Sequence, residues 1–187
     1  MKKILTKFEH FQYFYPYTVA IVGAKFGEKI NFMSAAWHSP LSFSPPLFGV
    51  LISKKRFSHY VISNAKEFTA SFLPFNKVKI SAQMGRKSGK DIDKVKTFKI
   101  KLLPAKIISS PILEDSYAAL ECKLIDIKTY GDHDLFVGEV VAVHQEEDAF
   151  VEENGVLNTK KIKPLLYLGS DMYITADAKT LKHILPD

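Results

Sequence analysis

The sequence predicts a mainly β protein, an antiparallel barrel or sandwich with a few short helices. Three observations carry that expectation. Short apolar, β-branched runs recur at close intervals, each bounded by turn residues, and they are not interleaved with long helical patterns. Ala118 to Lys128 alternates, with Leu120, Cys122 and Leu124 separated by Glu121 and Lys123, the period of a half-buried strand. The glycine fingerprint and the phosphate loop of parallel α/β folds are both absent.

Tyr17 to Val22 reads as the first strand, ended by Gly23. Gly27 marks a turn, and Lys29 to Trp37 returns as the second arm of a hairpin. Pro40, Pro45 and Pro46 fix φ and remove donors, so neither a helix nor a central strand is expected to continue there. Leu47 to Ile52 reads as a fully buried strand. Ser58 is the expected N-cap of a helix through Ala65. Phe68 to Leu73 alternates as a strand and stops at Pro74. Asn76 is the expected cap of a second short helix, with Ile80 and Met84 on one face and Gly85 just past its end. Gly85 to Lys94 is polar and reads as an exposed, mobile loop. Ala118 to Lys128 and Leu135 to His144 form a strand pair across the turn at Tyr130 to Asp134. Glu146 to Asn154 is an acidic surface stretch, Lys163 to Gly169 is extended, and Tyr173 to Thr175 is a last short strand. The tail beyond Asp177 is expected to make a helical turn or two.

The 187 residues suit one domain spanning 1–187. The longest apolar runs, such as Pro45 to Ile52, fall well short of the stretch of about 20 residues that crosses a bilayer. Met1 to Leu5 carries two lysines but neither an apolar core nor a cleavage site, so no signal peptide is expected. A single cysteine, Cys122, excludes an internal disulfide; its apolar run points to a buried thiol and a cytoplasmic protein. The net charge of +6 comes from lysines spread along the chain, densest from Lys77 to Lys101, which suits steering of anionic cofactors or nucleotides.

The six histidines lack the spacing of a metal site, and there is no CxxC and no GxSxG. Ser34, Ala35 and Ala36 are small enough to let a flat ligand approach the backbone. Trp37 adds a rigid plane and Ser39 a hydroxyl. Ser53-Lys54-Lys55-Arg56-Phe57-Ser58 brings cations and a serine to a helix N-terminus, an anion site by composition and equally readable as a solvated basic loop. Arg86, Ser88 and Lys94 are polar contacts over a ligand if the loop that holds them lies across it. His38 and His133 are candidate proton donors.

Taken in order, Asn31 to Pro40, Ser44-Pro45-Pro46, Lys54 to Ser58, Gly85 to Lys94, Gly131-Asp132-His133 with Gly138-Glu139-Val140, and Pro164 to Gly169 resemble the flavin reductase-like family. The likeness covers about Pro16 to Tyr173, and the Ala36-Trp37 pair resembles its flavoredoxin branch. The resemblance implies a six-stranded antiparallel Greek-key split β-barrel with short helices, working as a homodimer with one FMN per subunit near the interface. It implies that backbone groups of Asn31, Met33, Ser34, Ala35, Ala36 and Trp37 bond the isoalloxazine edge, and that Ser39 contacts the phosphate or ribityl chain. Lys54, Arg56 and Ser58, beside Ser53, are implied to hold the phosphate. Gly85, Arg86, Ser88, Gly89 and Lys94 are implied to lie beside the flavin, and His133 to act near it or near a nicotinamide. The implied activity is flavin-dependent oxidoreduction, from NADH, NADPH or a redox protein through FMN to an acceptor. A competing reading is a basic β-barrel that grips single-stranded nucleic acid by aromatic stacking. Many of the 14 phenylalanines and 8 tyrosines sit in apolar runs that read as core, so no nucleic-acid partner and no membrane is expected.

Overall fold

The computed structural model describes residues 2–8 and 10–184, so Met1 and the end of the tail lie outside it. β1 (Tyr17–Thr18) and β2 (Ala20–Phe26) lead through a turn at Gly27 into β3 (Lys29–Ala35). β4 (His38–Phe43) and β5 (Pro46–Ser53) follow, then α1 (Phe57–Ala65) and β6 (Glu67–Phe72). α2 (Val78–Arg86) and the single turn α3 (Lys94–Thr97) precede the short pair β7 (Leu102–Leu103) and β8 (Ile112–Leu113). The long arms β9 (Ala118–Tyr130) and β10 (His133–Gln145) are followed by β11 (Leu166–Gly169) and β12 (Met172–Ile174). The tail makes one 3₁₀ turn, Ala178–Thr180.

The fold is the mainly β, antiparallel split barrel expected. Its principal sheet has seven strands in the order β3-β2-β6-β9-β10-β5-β4, one more than the six implied. Leu51 N donates to Trp37 O at 2.9 Å, which extends the β4–β5 ladder by one residue into the short link from β3. One apolar cluster fills the inside, with Val22, Val50, Ile52, Phe68, Phe136 and Cys122 at its centre. A second lies under α2 and joins Ile21, Phe32, Met84, Leu113 and Leu165. Each such side chain contributes about 1.5–3 kcal/mol on burial. Cys122 is fully buried, and burial, followed by the charge of Glu121, pushes its thiol up to about 12, so it is an inert core residue.

Several local expectations are corrected. Gly23 does not end the first strand but sits within β2, because a Cβ there would lie 2.2 Å from Phe32 Cε1. The segment at Pro40 continues as a strand rather than a loop, though not as a central one. β4 is the outer edge of the sheet and pairs only with β5, so a missing donor is tolerated. Ser58 is not the cap of α1. Arg56 holds that position without a side-chain cap bond, and Ser58 lies buried in the first turn. Asn76 belongs to a 3₁₀ turn, Phe75–Lys77, and α2 runs through Gly85 to Arg86. Lys94 is not exposed but 4% accessible.

Two carboxylates fasten one loop to the sheet. Glu121, fully buried, accepts from the amides of Lys106, Ile107 and Ile108 at 2.6, 2.8 and 3.1 Å and lies 2.5 Å from His144 Nε2. Glu67 accepts from the amides of Ser109 and Ser110, each at 2.8 Å. Burial opposes the charge on Glu121, but the His144 bond and the three amides outweigh it and hold its pKa below the ordinary value.

Candidate functional site

β3 is an edge of the principal sheet, so one row of its peptide groups faces away from the ladder. Phe32 O belongs to that row, because it accepts from Lys94 Nζ at 2.7 Å. Outward groups recur every second residue, which places the peptide groups of Ser34 on the same open edge. α2 stands opposite: Ser34 Oγ donates to Ser81 O at 2.5 Å. A Cβ at Gly85 would meet nothing nearer than Ser34 Cβ at 3.6 Å. Glycine inside a helix costs about 1 kcal/mol relative to alanine. Here it leaves the space between β3 and α2 open.

A cavity of 140 Å³ lies at the end of this space, where α1 begins. Its walls carry five cations, Lys55, Arg56, Arg86, Lys87 and Lys94, and no carboxylate. Ser58 of the first turn of α1 also lines it, and the first amides of a helix have no partner within it. The Lys94 ammonium donates to Phe32 O and to Met84 O, at 2.7 and 2.8 Å. Burial, and then the charge of Arg56, pushes its pKa down to about 8. Arg86 is paired with Asp171, but the other four cations have no carboxylate partner among the described residues; such cations repel one another, and an anion between them relieves the repulsion. Asn31, 3% accessible, donates from Nδ2 to Ser58 Oγ at 2.6 Å. Its Oδ1 has no hydrogen-bond partner among the described residues, and a ligand hydroxyl would satisfy it.

The cavity runs into a second of 240 Å³, with Ser34, Arg56, Gly85 and Arg86 common to both. Ala36 and Ala82 make its narrow walls, and Tyr167 and Tyr173, with ring centroids 5.1 Å apart, make another. Arg86 is held at its mouth by a two-bond pair with Asp171, from Nε to Oδ1 at 2.9 Å and from the second nitrogen to Oδ2. Small residues on two sides and aromatic faces on a third give a slot for a flat molecule, with the anion cavity at one end.

A third cavity, of 550 Å³, is lined mainly by apolar and aromatic residues that include Trp37, Leu41, Leu51, Tyr130 and Leu135. His133 lines it, with its ring 4.8 Å from that of Trp37 and Nδ1 2.8 Å from Asp132 Oδ1. His38 lies against it too, its Nε2 3.0 Å from Thr18 O; burial lowers its pKa, against the pull of that carbonyl.

The predicted residues therefore separate into groups. Asn31, Met33, Ser34, Arg56, Ser58, Gly85, Arg86, Ser88, Gly89 and Lys94 come together around the first cavity, and Ala36 joins Ser34 on the second. Trp37, Ser39 and His133 line the third, and the Ser39 hydroxyl donates to Pro40 O. Ala35 does not open onto the slot: strand alternation turns its side chain into the core. Lys54 is turned away from the anion cavity, with Nζ 3.4 Å from Thr129 Oγ1 and 3.5 Å from Asp134 Oδ1. Ser53 sits beside it, paired with His133 in the β5–β10 ladder and accepting weakly from the Lys55 amide at 3.5 Å. Lys55, not singled out above its neighbours by the sequence, takes the place on the wall. Ala82, Tyr167, Asp171 and Tyr173 were missed. The small pair Ala82 and Gly85, three apart on one helical face, is the signal that marks the slot.

Residues 12–176 match the family described as Flavin reductase like domain. An uncharacterized protein of Pyrococcus abyssi is 36% identical over 152 residues, which cover 81% of this chain and 86% of that one. An FMN-binding protein from Thermus thermophilus, in a crystal structure with bound 1-cyclohex-2-enone, is 38% identical with a TM-score of 0.86, covering 98% of this chain and 99% of its own. A flavoredoxin from Methanosarcina acetivorans is 27% identical with a TM-score of 0.83, covering 95% and 92%.

Proposed function

The chain belongs to the flavin reductase-like family, and from that premise we propose that it binds FMN and passes electrons from a nicotinamide nucleotide or a redox protein to a small acceptor. Membership brings with it a flavin-linked oxidoreductase function; the identity of the flavin, the donor and the acceptor is the finer reading. One observation carries the flavin: a cavity walled by five cations, of which only Arg86 has a carboxylate partner among the described residues, adjoins a second whose walls are small and aromatic residues. FMN has that shape, a planar ring system with a phosphate at the end of a hydroxylated chain. The FMN-binding Thermus relative supports the same choice.

Lys55, Arg56, the Ser58 hydroxyl and the first amides of α1 would hold the phosphate. Asn31 and the open peptide groups of Ser34 would meet hydroxyls and the polar ring edge. Ala36, Ala82, Tyr167 and Tyr173 would flank the ring and keep water from it. Bound FMN would supply the reversible uptake of two electrons, which no side chain here can provide. His133 stands on the acceptor side. Its ring, with Nδ1 2.8 Å from Asp132 Oδ1, would exchange a proton with the acceptor. The lone buried thiol supports a reducing, cytoplasmic setting. Edge strand β4, with Leu41 46% and Phe43 100% accessible, offers apolar surface for the homodimer included in this reading.

Anaerobic rapid mixing tests the donor. Addition of NADH or NADPH to the FMN-loaded protein is expected to bleach the visible flavin band within seconds. A band that both nucleotides leave intact, and that a reduced carrier protein bleaches, would replace the nucleotide by a protein donor.

A further inference from the structure

The turn between β5 and α1 carries groups that wall the cation cavity, and a carboxylate outside that cavity holds both of its ends. Asp134, in β10 and 4% accessible, lies 2.7 Å from His59 Nε2 through Oδ2 and 3.5 Å from Lys54 Nζ through Oδ1. An ionised carboxylate only accepts, so His59 donates. That bond is the first cause that holds the Asp134 carboxyl below its ordinary value, against the cost of burial. The His59 ring packs edge-on to the fully buried Phe136, with centroids 5.0 Å apart. Asp134 Oδ1 has no hydrogen-bond partner among the described residues, so it offers Lys54 a charge rather than a directed bond. Between Lys54 and His59 lie Lys55, Arg56 and Ser58, all three on the wall of the cavity.

We propose that Asp134 is a positioning residue for the anion taken up by the cation cavity: by tying Lys54 and His59 to β10 it fixes the residues between them, and so Lys55, Arg56, Ser58 and the first amides of α1. The proposal rests on the preceding section for the identity of that anion as the flavin phosphate. Lys54, Lys55 and Arg56 are consecutive cations, and a turn that bears them repels itself. Asp134 supplies the counter-charge from outside the cavity, so the turn is ordered before an anion arrives and no carboxylate stands on the cavity wall. Donors already in place lose less freedom on binding. Strand alternation separates this role from that of His133, the preceding residue, which lines the apolar cavity.

Calorimetric titration of the flavin-free protein with FMN, riboflavin and inorganic phosphate tests the assignment. Asp134→Asn is expected to weaken FMN and phosphate about tenfold, the worth of one hydrogen bond to a charged group, while riboflavin, which lacks the phosphate, binds as it does to the parent. His59→Ala should show the same phosphate-specific loss, and His59→Gln, which keeps a donor at that place, should restore most of the affinity. Where Asp134→Asn fails to fold, as thermal unfolding will show, the two His59 variants decide. Equal losses of FMN and riboflavin would make Asp134 a structural residue only and overturn the proposal. So would unchanged FMN binding, or tighter binding, the sign of a Lys54 released to the phosphate. A parent protein that holds neither flavin removes the FMN reading by itself, and the phosphate titration still decides on Asp134. Weaker phosphate binding by the variant than by the parent then sustains the proposal; equal binding, or none by the parent, overturns it.

Discussion

Glu121→Leu will lower the stability of the fold by about 4 kcal/mol in urea unfolding, through three backbone donors left without an acceptor in or near the interior. Leucine fills the volume but accepts nothing. Each orphaned donor costs about 1–3 kcal/mol, and His144 loses its partner as well. Glu121→Gln keeps one acceptor oxygen and should lose about half as much. The loss should also change with pH. The pKa of Glu121 is lower in the folded chain than its ordinary 4.5. Its contribution is therefore complete above that value and fades as pH falls through the lowered folded one. Between neutral pH and acid the parent should lose more stability than Glu121→Gln, and the two unfolding curves should converge. Parallel curves, or a loss under about 1 kcal/mol for Glu121→Leu, would mean the loop at 106–110 is held by something else.

Arg56→Ala combined with Ser58→Ala is expected to weaken FMN retention by more than about 100-fold. Hydrogen bonds to a charged group contribute about 1.5–3 kcal/mol each, and 1.4 kcal/mol is a factor of ten. Both side chains line the cation cavity, and Arg56 also borders the slot. Removing Arg56 should raise the pKa of Lys94 from about 8, since that charge is one of its two depressing causes. His133→Ala should leave retention unchanged, because His133 lines the apolar cavity and no part of the other two. Flavin content after gel filtration, measured on both variants, separates the roles: equal losses would undo the division of the site.

The fold was legible where local signals agree with tertiary packing. The β2–β3 hairpin, α1 and the β9–β10 arms carry period-two or turn signals that no long-range contact overrides. Misreadings fell where one residue serves two demands. Gly23 resembles a terminator but makes room for Phe32 across the pair. Pro40 rightly excludes a central strand but not the edge strand it lies on, which needs no donor there. Lys94 sits in a polar stretch, yet two carbonyls from different elements draw its ammonium inside. The site was legible as composition rather than geometry. The basic run before α1 was evident, but only the turn decides that Lys55 faces the cavity and Lys54 faces Asp134. Tyr167 and Tyr173 reach the slot through a separate three-stranded sheet, which no spacing along the chain discloses.

The phosphate end of the site is the claim on which the others depend, and a comparison of FMN with riboflavin isolates it. The protein, stripped of flavin and equilibrated in turn with each, should retain FMN near one per chain. Riboflavin, which has the same ring and no phosphate, should be held at least 100-fold more weakly, on the order set by two charged hydrogen bonds. Equal affinity for the two, or a protein that holds neither, would contradict the account.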